Sequence, residues 1–310
     1  MKPKVAFFGS PVFALPVLRA ICDRFEVVLL VTQPDKPSGR GMKLTPPAVA
    51  ARALELGLPL EQPAKLRNNL GFAAKLRESG ADVGVTCAYG KILPASLLEI
   101  PKYGFINVHT SLLPKYRGAA PIQWAIISGD TKTGVTIMQT DPGMDTGAIL
   151  LQESLVISES ETALELAPRL SSLGATMIVS ALENLDLLKP ILQDNDLATH
   201  ARMLEKDDAR IDWTQPARVI FNWYRGLTGW PGSYFMLNGK RIKVLEMRPV
   251  GVSGRAGQVL EFAEGVVVAA AEGALELLVV QPEGKPQMRA LDWARGYQVK
   301  PGSQLELWKS

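Results

Sequence analysis

The sequence contains few of the residues on which metal and thiol chemistry depends. Its 310 residues include only two cysteines and two histidines, and neither a C-x-x-C nor an H-E-x-x-H pattern occurs. Cys22 and Cys87 lie far apart in apolar surroundings, which predicts buried free thiols in a reducing compartment rather than a disulfide. The sequence therefore indicates no protein-bound metal.

Nucleotide-binding signatures are also missing. GSPVFA, which follows the first predicted strand, lacks the G-x-G-x-x-G spacing, and no acidic residue follows at the distance of a ribose anchor. The sequence contains no P-loop. We expect the protein to bind neither NAD nor ATP in the usual way.

No apolar run reaches the roughly 18 residues that a membrane span requires. The apolar stretch near the basic N-terminus resembles a signal peptide, but Gly9, Pro11 and Pro16 interrupt it and no clear cleavage site follows. The net charge of +3 lies in residues 206–310, which is weak support for a nucleic-acid partner because scattered charge is usually a solvated surface. These observations predict a cytoplasmic protein.

Strand and helix signals alternate through the first part of the chain. Apolar runs typical of buried strands, and amphipathic runs typical of helices, occupy residues 4–8, 11–25, 26–32, 47–55, 58–62, 69–79, 81–88, 104–110, 122–127, 134–140, 148–157 and 161–188. This order predicts an α/β fold with a doubly wound, mostly parallel Rossmann-like sheet. Ligands bind such sheets beyond the carboxyl ends of the strands, where Ser10, Tyr89, Gly90 and His109 fall.

The last third of the chain has a different pattern. From about residue 210, short alternating runs are separated by Asn238-Gly239, Glu264-Gly265 and Glu272-Gly273, which are hairpin signals. They predict a C-terminal antiparallel β-barrel of the oligonucleotide-binding (OB-like) kind. We therefore expect an α/β domain over residues 1–188, a linker over 189–209 and a barrel domain over 210–310. His200 of the linker is expected to be a surface or packing residue.

The stretch GFINVHTSLLPKYRGAAP, residues 104–121, carries the polar residues with the clearest chemical potential. Asn107 and His109 share one face of the predicted strand because side chains alternate along it. A tight turn, DPGMDTG, follows at residues 141–147. Asp141 has the position of a backbone-bonding cap, and a functional interpretation of Asp145 depends on its approaching His109.

These residues favour acyl transfer to an amine. The Asn107 amide and a protonated His109 would donate hydrogen bonds to a tetrahedral oxyanion. Asp145 would hold His109 and help to move the proton from the attacking amine to the leaving nitrogen. Ser111 is an alternative nucleophile, but it lacks the G-x-S-x-G context and follows its histidine closely on the same strand.

The segment QPDKPSGRGMKLTPP, residues 33–47, is too long for an ordinary βα loop. It carries Lys36, Arg40 and Lys43 against a single acidic residue, Asp35. Two interpretations have similar weight: an unstructured surface loop, and a basic arm that grips the phosphates of a polyanionic substrate.

INVHTSLLPKYRGAAPI, together with DPGMDTG downstream, resembles the folate-dependent formyltransferases. The segments GSPVFALPVL, QPDKPSGRGMKLTPPAV, YGKILP, IDW and QPEGKPQM are similar to members of that family that act on methionyl initiator tRNA. The resemblance covers essentially the whole chain, with Ser10 standing where threonine is expected. It implies transfer of a formyl group from 10-formyltetrahydrofolate to the amino group of methionine on initiator tRNA, for translation initiation, by a monomer.

The resemblance also implies roles for individual residues. Asn107, His109 and Asp145 correspond to the catalytic set. The residues expected to contact the folate co-substrate are Tyr89, Gly90, Ser111, Leu112, Leu113, Pro114 and Asp141. Those expected to contact tRNA are Lys36, Arg40 and Lys43, with the barrel as a second contact.

Two alternatives stay open at this point. A relative with the same triad formylates sugar-nucleotide amines or hydrolyses the formyl-folate, although the basic segment at 36–43 favours tRNA. A non-catalytic RNA-binding barrel protein would keep its tRNA binding after His109→Ala and show no folate dependence. Lys115 and Arg117 have three possible roles: contact with the folate tail, contact with RNA, or capping of the following helix.

Overall fold

The computed structural model describes residues 2–38 and 43–308. Contacts divide the chain into two compact units, which are treated separately below. The first unit comprises residues 1–121, 132–156 and 165–202, and the second comprises residues 122–131, 157–164 and 203–310.

The first unit alternates strands and helices as the sequence predicts. Its described elements, in chain order, are β1 (Val5–Gly9), α1 (Leu15–Cys22), β2 (Val27–Val31), β3 (Lys36–Ser38), β4 (Lys43–Thr45), α2 (Ala48–Leu56), β5 (Leu60–Glu61), α3 (Leu70–Glu78), β6 (Val83–Cys87), α4 (Ala95–Leu98), β7 (Phe105–His109), β8 (Arg117–Gly118), α5 (Pro121–Ile127, mostly in the second unit), β9 (Lys132–Gln139), β10 (Ile149–Val156), α6 (Ala163–Glu183) and β11 (His200–Ala201).

A seven-stranded sheet forms the centre of this unit. Its strand order is β10-β9-β7-β6-β1-β2-β5, with parallel pairing from β5 to β7 and antiparallel pairing at β9 and β10. The chain runs outward from β1 through β2 to β5 and then returns to β6 on the other side of β1. The predicted α/β fold is confirmed, and this reversal of strand order creates the crevice in which such sheets bind ligands.

Burial on both faces explains why the central strands lack alternation. All five residues of β1 and all five of β6 are buried, as expected where helices cover both faces of a parallel sheet. On one face, Phe8 meets Tyr89 and Phe105 edge to face, with ring centroids 5.4 and 5.1 Å away. On the other face, helix α6 approaches strand β7 so closely that a Cβ at Gly174 would lie 2.7 Å from the Val108 side chain.

The long segment after β2 is folded within the described residues. Strands β3 and β4 pair antiparallel, with Lys36 opposite Thr45 and Ser38 opposite Lys43. Residues 39–42, and Arg40 with them, lie outside the described residues. The ends of this segment are therefore a two-stranded ribbon rather than an unstructured loop.

Residues 189–202, predicted as part of a linker, belong to the first compact unit. Strand β11 pairs parallel with β8, placing His200 opposite Arg117 and Ala201 opposite Gly118. The side chain of His200 is exposed, as expected for a surface histidine. This part of the chain therefore returns to the segment that follows β7.

The second unit is built on an antiparallel sheet, which confirms the fold class predicted for the C-terminal region. Its described elements after residue 203 are α7 (Ala217–Leu227), β12 (Ser233–Leu237), β13 (Lys240–Val250), β14 (Val259–Phe262), β15 (Val266–Ala269), β16 (Ala274–Pro282), β17 (Met288–Arg289) and α8 (Ala290–Gly296). The six strands follow the order β12-β13-β16-β15-β14, with β17 on β16. The turn between β12 and β13 has Asn238 and Gly239 at positive φ, 51° and 71°, as an Asn-Gly hairpin requires.

Two helices of the second unit were not predicted from the sequence. Helix α7 follows Pro216, and α8 buries Ala290, Trp293 and Ala294 on one face. The spacing of these three residues is helical, but the neighbouring strand signals obscured it. Trp293 packs edge to face against Phe235, so α8 closes one end of the core.

A buried arginine ties segment 157–164 to α7 within the second unit. Arg225 is 2 % exposed. Its guanidinium donates to the main-chain oxygens of Ser158 and Glu161 at 3.2 and 3.0 Å and to Asn222 Oδ1 at 2.7 Å. Burial, followed by the charge of Arg218, lowers the pKa of Arg225.

Both cysteines are free thiols, as predicted. Cys87 is completely buried at the end of β6, and burial raises its pKa to about 12. Cys22 is partly buried, and burial followed by the charge of Asp23 raises its pKa. Across residues 2–38 and 43–308, no helix is both long enough and apolar enough to span a bilayer.

Candidate active site

Strand β7 places Asn107 and His109 at the carboxyl edge of the sheet. His109 is the last residue of the strand and is 5 % exposed, whereas Asn107 is partly exposed. Thr86 on β6 lies opposite Asn107, and Thr136 on β9 lies opposite His109. The backbone ladders on both sides therefore fix the positions of the two polar side chains.

The Asn107 amide is oriented by its neighbour on β6. Thr86 Oγ1 donates to Asn107 Oδ1 at 2.7 Å. The amide oxygen therefore accepts a hydrogen bond from the protein, whereas Nδ2 has no hydrogen-bond partner among the residues that the structure describes. The available end of the side chain is therefore its donor, as an oxyanion-binding amide requires.

The His109 ring is held through Nε2, and its Nδ1 faces a carboxylate. Nε2 lies 3.0 Å from the main-chain oxygen of Tyr116. Because a carbonyl only accepts hydrogen bonds, Nε2 carries a hydrogen in this arrangement. Nδ1 lies 3.6 Å from Asp145 Oδ2, so this nitrogen faces the carboxylate.

Asp145 reaches His109 from the tight turn at residues 141–147, which meets the condition set by the sequence. The backbone of Asp145 is left-handed, with φ 55°, a conformation that aspartate tolerates better than most residues. Its Oδ2 accepts a 2.8 Å hydrogen bond from the Gly118 amide. Gly118 itself has φ 122°, and a Cβ there would lie 2.7 Å from the Ala201 oxygen, so this donor position requires glycine.

The turn at residues 111–114 is fixed by hydrogen bonds. Ser111 is completely buried and its Oγ donates to the Lys115 oxygen at 2.6 Å, which removes it from the role of nucleophile in this conformation. Gln152 Nε2 donates to the Leu113 oxygen at 2.9 Å, and Leu113 is joined to Pro114 by a cis peptide bond. Leu112 is partly exposed.

Tyr89 and Asp141 are engaged in structural contacts. The Tyr89 ring is 3 % exposed in the core, and burial raises the pKa of its hydroxyl to about 12. Asp141 accepts from the Gly143 amide at 3.1 Å and from Thr146 Oγ1 at 2.8 Å, as a turn cap does. Gly90, by contrast, is exposed, with φ 75°.

The two described lysines predicted to contact tRNA lie on the β3–β4 ribbon. Lys36 and Lys43 are both exposed. Lys36 Nζ donates to Gln33 Oε1 at 2.9 Å. Burial, and then the positive charge of Lys36, lower the pKa of Lys91. A second lysine side chain therefore lies close to this ribbon.

Several supporting residues were not found from the sequence. Gln33 connects the ends of β1, β2 and β6. Its backbone N–H donates to Ser10 Oγ at 3.0 Å, its Nε2 donates to the Tyr89 oxygen at 2.9 Å, and its Oε1 accepts the bond from Lys36 Nζ. Thr86 had a detectable signal, since it lies one residue before the end of a buried strand. Gln193 lies in an aperiodic segment and gave no sequence signal.

The fold and this site define an enzyme of the acyl-transfer class, with an asparagine donor and a histidine–aspartate pair at the edge of an α/β sheet. The chain belongs to the formyl transferase family. The family model described as Formyl transferase matches residues 3–182, and the one described as Formyl transferase, C-terminal domain, matches residues 203–298.

The similar curated proteins are more specific. The methionyl-tRNA formyltransferase of Deinococcus radiodurans is 56 % identical over 308 residues, which cover 99 % of this chain and 97 % of that protein. The methionyl-tRNA formyltransferase of Thermus thermophilus is 46 % identical over 303 residues, which cover 97 % and 99 % respectively.

Solved structures share the fold at much lower identity. HypX from Aquifex aeolicus in complex with tetrahydrofolic acid matches with a TM-score of 0.64 and 15 % identity over all of this chain, which spans 50 % of that longer chain. The N-formyltransferase from Helicobacter canadensis, in complex with folinic acid and dTDP-3-aminofucose, matches with a TM-score of 0.68 and 18 % identity, covering 89 % of this chain and 99 % of that one.

Proposed function

We propose that this chain transfers a formyl group from 10-formyltetrahydrofolate to the amino group of methionine on initiator tRNA. The observation that carries the proposal is the 56 % identity with a methionyl-tRNA formyltransferase, which extends over 99 % of the chain. The match with a sugar N-formyltransferase is 18 % identical. We infer the substrate from the relative with the higher identity, and the type of reaction from the residues of the candidate active site.

The reaction begins with attack of the amine on the formyl carbon. The nitrogen lone pair forms the new C–N bond, and the carbonyl electrons move onto oxygen to give a tetrahedral oxyanion. Asn107 Nδ2 donates to this oxygen, because Thr86 occupies the other end of the amide. Collapse of the intermediate breaks the bond to N10 of the folate, which takes up a proton and leaves as tetrahydrofolate.

His109 and Asp145 stabilise the developing charge and help to transfer the proton during these steps. The Tyr116 carbonyl fixes the ring through Nε2, which leaves Nδ1 beside the Asp145 carboxylate. With a proton on Nδ1, the ring is an imidazolium whose positive charge stabilises the oxyanion, and the Asp145 carboxylate stabilises that imidazolium in turn. Because an α-amino group has a pKa of about 8, a useful fraction of the attacking amine is already neutral near pH 7.

The remaining sequence expectations become part of the same proposal. The folate co-substrate is contacted by Tyr89, Gly90, Ser111, Leu112, Leu113, Pro114 and Asp141, of which Gly90 is exposed and Leu112 is partly exposed. The tRNA is contacted by Lys36, Arg40 and Lys43. The catalytic domain spans residues 1–188 and the tRNA-binding domain residues 210–310. Of the connecting residues 189–209, residues 189–202 belong to the first compact unit.

One assay separates this function from its alternatives. The protein is mixed with 10-formyltetrahydrofolate and either methionyl initiator tRNA or a dTDP-amino sugar, and formylated product is measured. We expect formylation of the tRNA-bound methionine, with kcat/KM at least about 100-fold above that for the sugar amine. Preference for the sugar amine, or tRNA binding with no formyl transfer, would contradict the proposal.

A further inference from the structure

Arg117, whose role the sequence left open, is buried beside the candidate active site. Arg117 is only 5 % exposed. Nε donates to Gln193 Oε1 at 2.9 Å, and Nη2 donates to Asn195 Oδ1 at 3.0 Å. A guanidinium has donors only, so Arg117 dictates that the oxygen end of each amide faces it.

The opposite end of the Gln193 amide reaches the turn that carries Asp145. Gln193 Nε2 donates to the main-chain oxygen of Asp145 at 2.9 Å and to that of Gly147 at 2.7 Å. Both contacts require a donor, and Arg117 requires an acceptor at the other end. Among side chains of this shape, only an uncharged amide satisfies the two demands together.

Asp145 needs external support because its backbone is left-handed, with φ 55°, a conformation that persists when surrounding contacts determine it. Gln193 holds the main chain on both sides of the turn, at residues 145 and 147. The Gly118 amide, next to Arg117 in the chain, holds the carboxylate at 2.8 Å. Main chain and side chain of Asp145 are thus both anchored to segment 117–118.

We propose that Gln193, oriented by Arg117, is a positioning residue that fixes the Asp145 carboxylate relative to His109 for formyl transfer. The inference rests on the proposed function, since it assigns Asp145 a part in the reaction. It gives the aperiodic segment after α6 a role in the active site.

Gln193→Glu is the sharpest substitution. Glutamate preserves the size and the contact with Arg117, but a carboxylate cannot donate to the Asp145 and Gly147 oxygens. We expect kcat for Met-tRNA formylation to fall about 10- to 100-fold, the scale of a small misplacement of a catalytic group, with KM for both substrates within about threefold. Asn195→Ala is the matched control, because Asn195 binds the same guanidinium without reaching Asp145; it should stay within about threefold of the unmodified enzyme.

A double-mutant cycle tests whether Gln193 acts through Asp145. In an Asp145→Ala background, Gln193→Glu should lower kcat by less than about twofold, because the group that it positions is gone. The same 10- to 100-fold loss in both backgrounds would overturn the proposal, as would near-normal kcat for Gln193→Glu alone.

Amide hydrogen exchange at Gly118 gives a readout independent of turnover, because this N–H donates to the Asp145 carboxylate. We expect exchange at Gly118 to accelerate at least about tenfold in Gln193→Glu and to stay unchanged in Asn195→Ala. Unchanged exchange in Gln193→Glu would overturn the positioning role. A wild-type protein that fails to formylate methionyl-tRNA would instead refute the proposed function, while the exchange result would still decide whether Gln193 anchors the turn.

Discussion

Thr86 Oγ1 donates a 2.7 Å hydrogen bond to Asn107 Oδ1 from the adjacent, parallel strand. The two amide ends of asparagine have nearly the same shape, and this bond selects which of them is available to a ligand. Thr86 is buried, so water does not readily replace its hydroxyl. The oxyanion donor of the proposed mechanism therefore depends on a buried threonine of the neighbouring strand.

Thr86→Val should lower kcat by about 5- to 30-fold, corresponding to roughly 1–2 kcal/mol for a lost orienting hydrogen bond. Valine keeps the shape of threonine but cannot donate to Asn107. Thr86→Ser, which retains the hydroxyl, should recover most of the activity in steady-state formylation assays. Equal activity of the valine and serine variants would show that the bond does not orient the amide.

Single replacement of Asn107, His109 or Asp145 by alanine should each remove most formyl transfer. We expect a fall of at least about 100-fold in kcat, the loss typical of an oxyanion donor or acid–base group. Circular dichroism and thermal unfolding should show that the fold persists. Near-normal turnover in any two of the three variants would refute the mechanism.

Lys43→Ala should weaken tRNA use while leaving KM for formyl-folate unchanged, because an exposed lysine on the ribbon acts through phosphate charge. The slope of log K against log salt should fall by about 1 when one phosphate contact is lost. Lys4, an exposed lysine that precedes β1 at the opposite edge of the sheet, provides the control. Arg40→Ala should have the same effect as Lys43→Ala. If the affinity of these variants for tRNA equals that of the unmodified protein and does not depend on salt, the segment at residues 33–47 does not bind tRNA phosphates.

Cys87 should resist thiol reagents in the native protein. Its pKa of about 12 keeps the thiol protonated up to pH 9, and burial blocks access. In a Cys22→Ser variant, a disulfide reagent at pH 8 should react with Cys87 only after unfolding in guanidinium chloride. Labelling at the rate of an unfolded thiol would contradict the burial of β6.

Arg225→Ala should destabilise the second unit by about 2–4 kcal/mol. The substitution leaves the Ser158 and Glu161 oxygens and Asn222 Oδ1 without their buried donor. Arg218→Ala changes an exposed arginine on the same helix and should stay within about 0.5 kcal/mol. Denaturant unfolding measures both, and equal values for the two variants would show that the buried bonds contribute little.

The central sheet was predictable because its signal is local. Continuous apolar runs identified β1, β2 and β6, and alternation of apolar with polar residues identified β7. The strand ends at Ser10, Gly90 and His109 lie at one edge of the sheet, as the parallel topology requires. The approach of Asp145 to His109 was a hypothesis that only the three-dimensional structure could test. The two residues are 36 positions apart in the sequence, and this separation does not determine the distance between their side chains.

The supporting residues were less accessible to sequence reasoning. Gln193 belongs to a segment without periodicity, and its role arises from contacts with Arg117 and Asp145 that lie far away in the chain. Tyr89 was expected at the folate site from its position after β6, but its ring packs in the core. A strand end fixes where the backbone lies, whereas neighbouring volume decides which way a side chain turns.

The pairing of β8 with β11 has a consequence for synthesis on the ribosome. Asn107, His109 and Asp145 are all translated well before His200 and Ala201, the residues that pair with Arg117 and Gly118. At roughly 5–20 residues per second, several seconds separate synthesis of the last residue of the proposed catalytic set from synthesis of the strand that pairs with Arg117 and Gly118. A nascent chain therefore contains the whole proposed catalytic set before β11 can pair with β8, so we expect formyl transfer only after β11 has emerged from the ribosome.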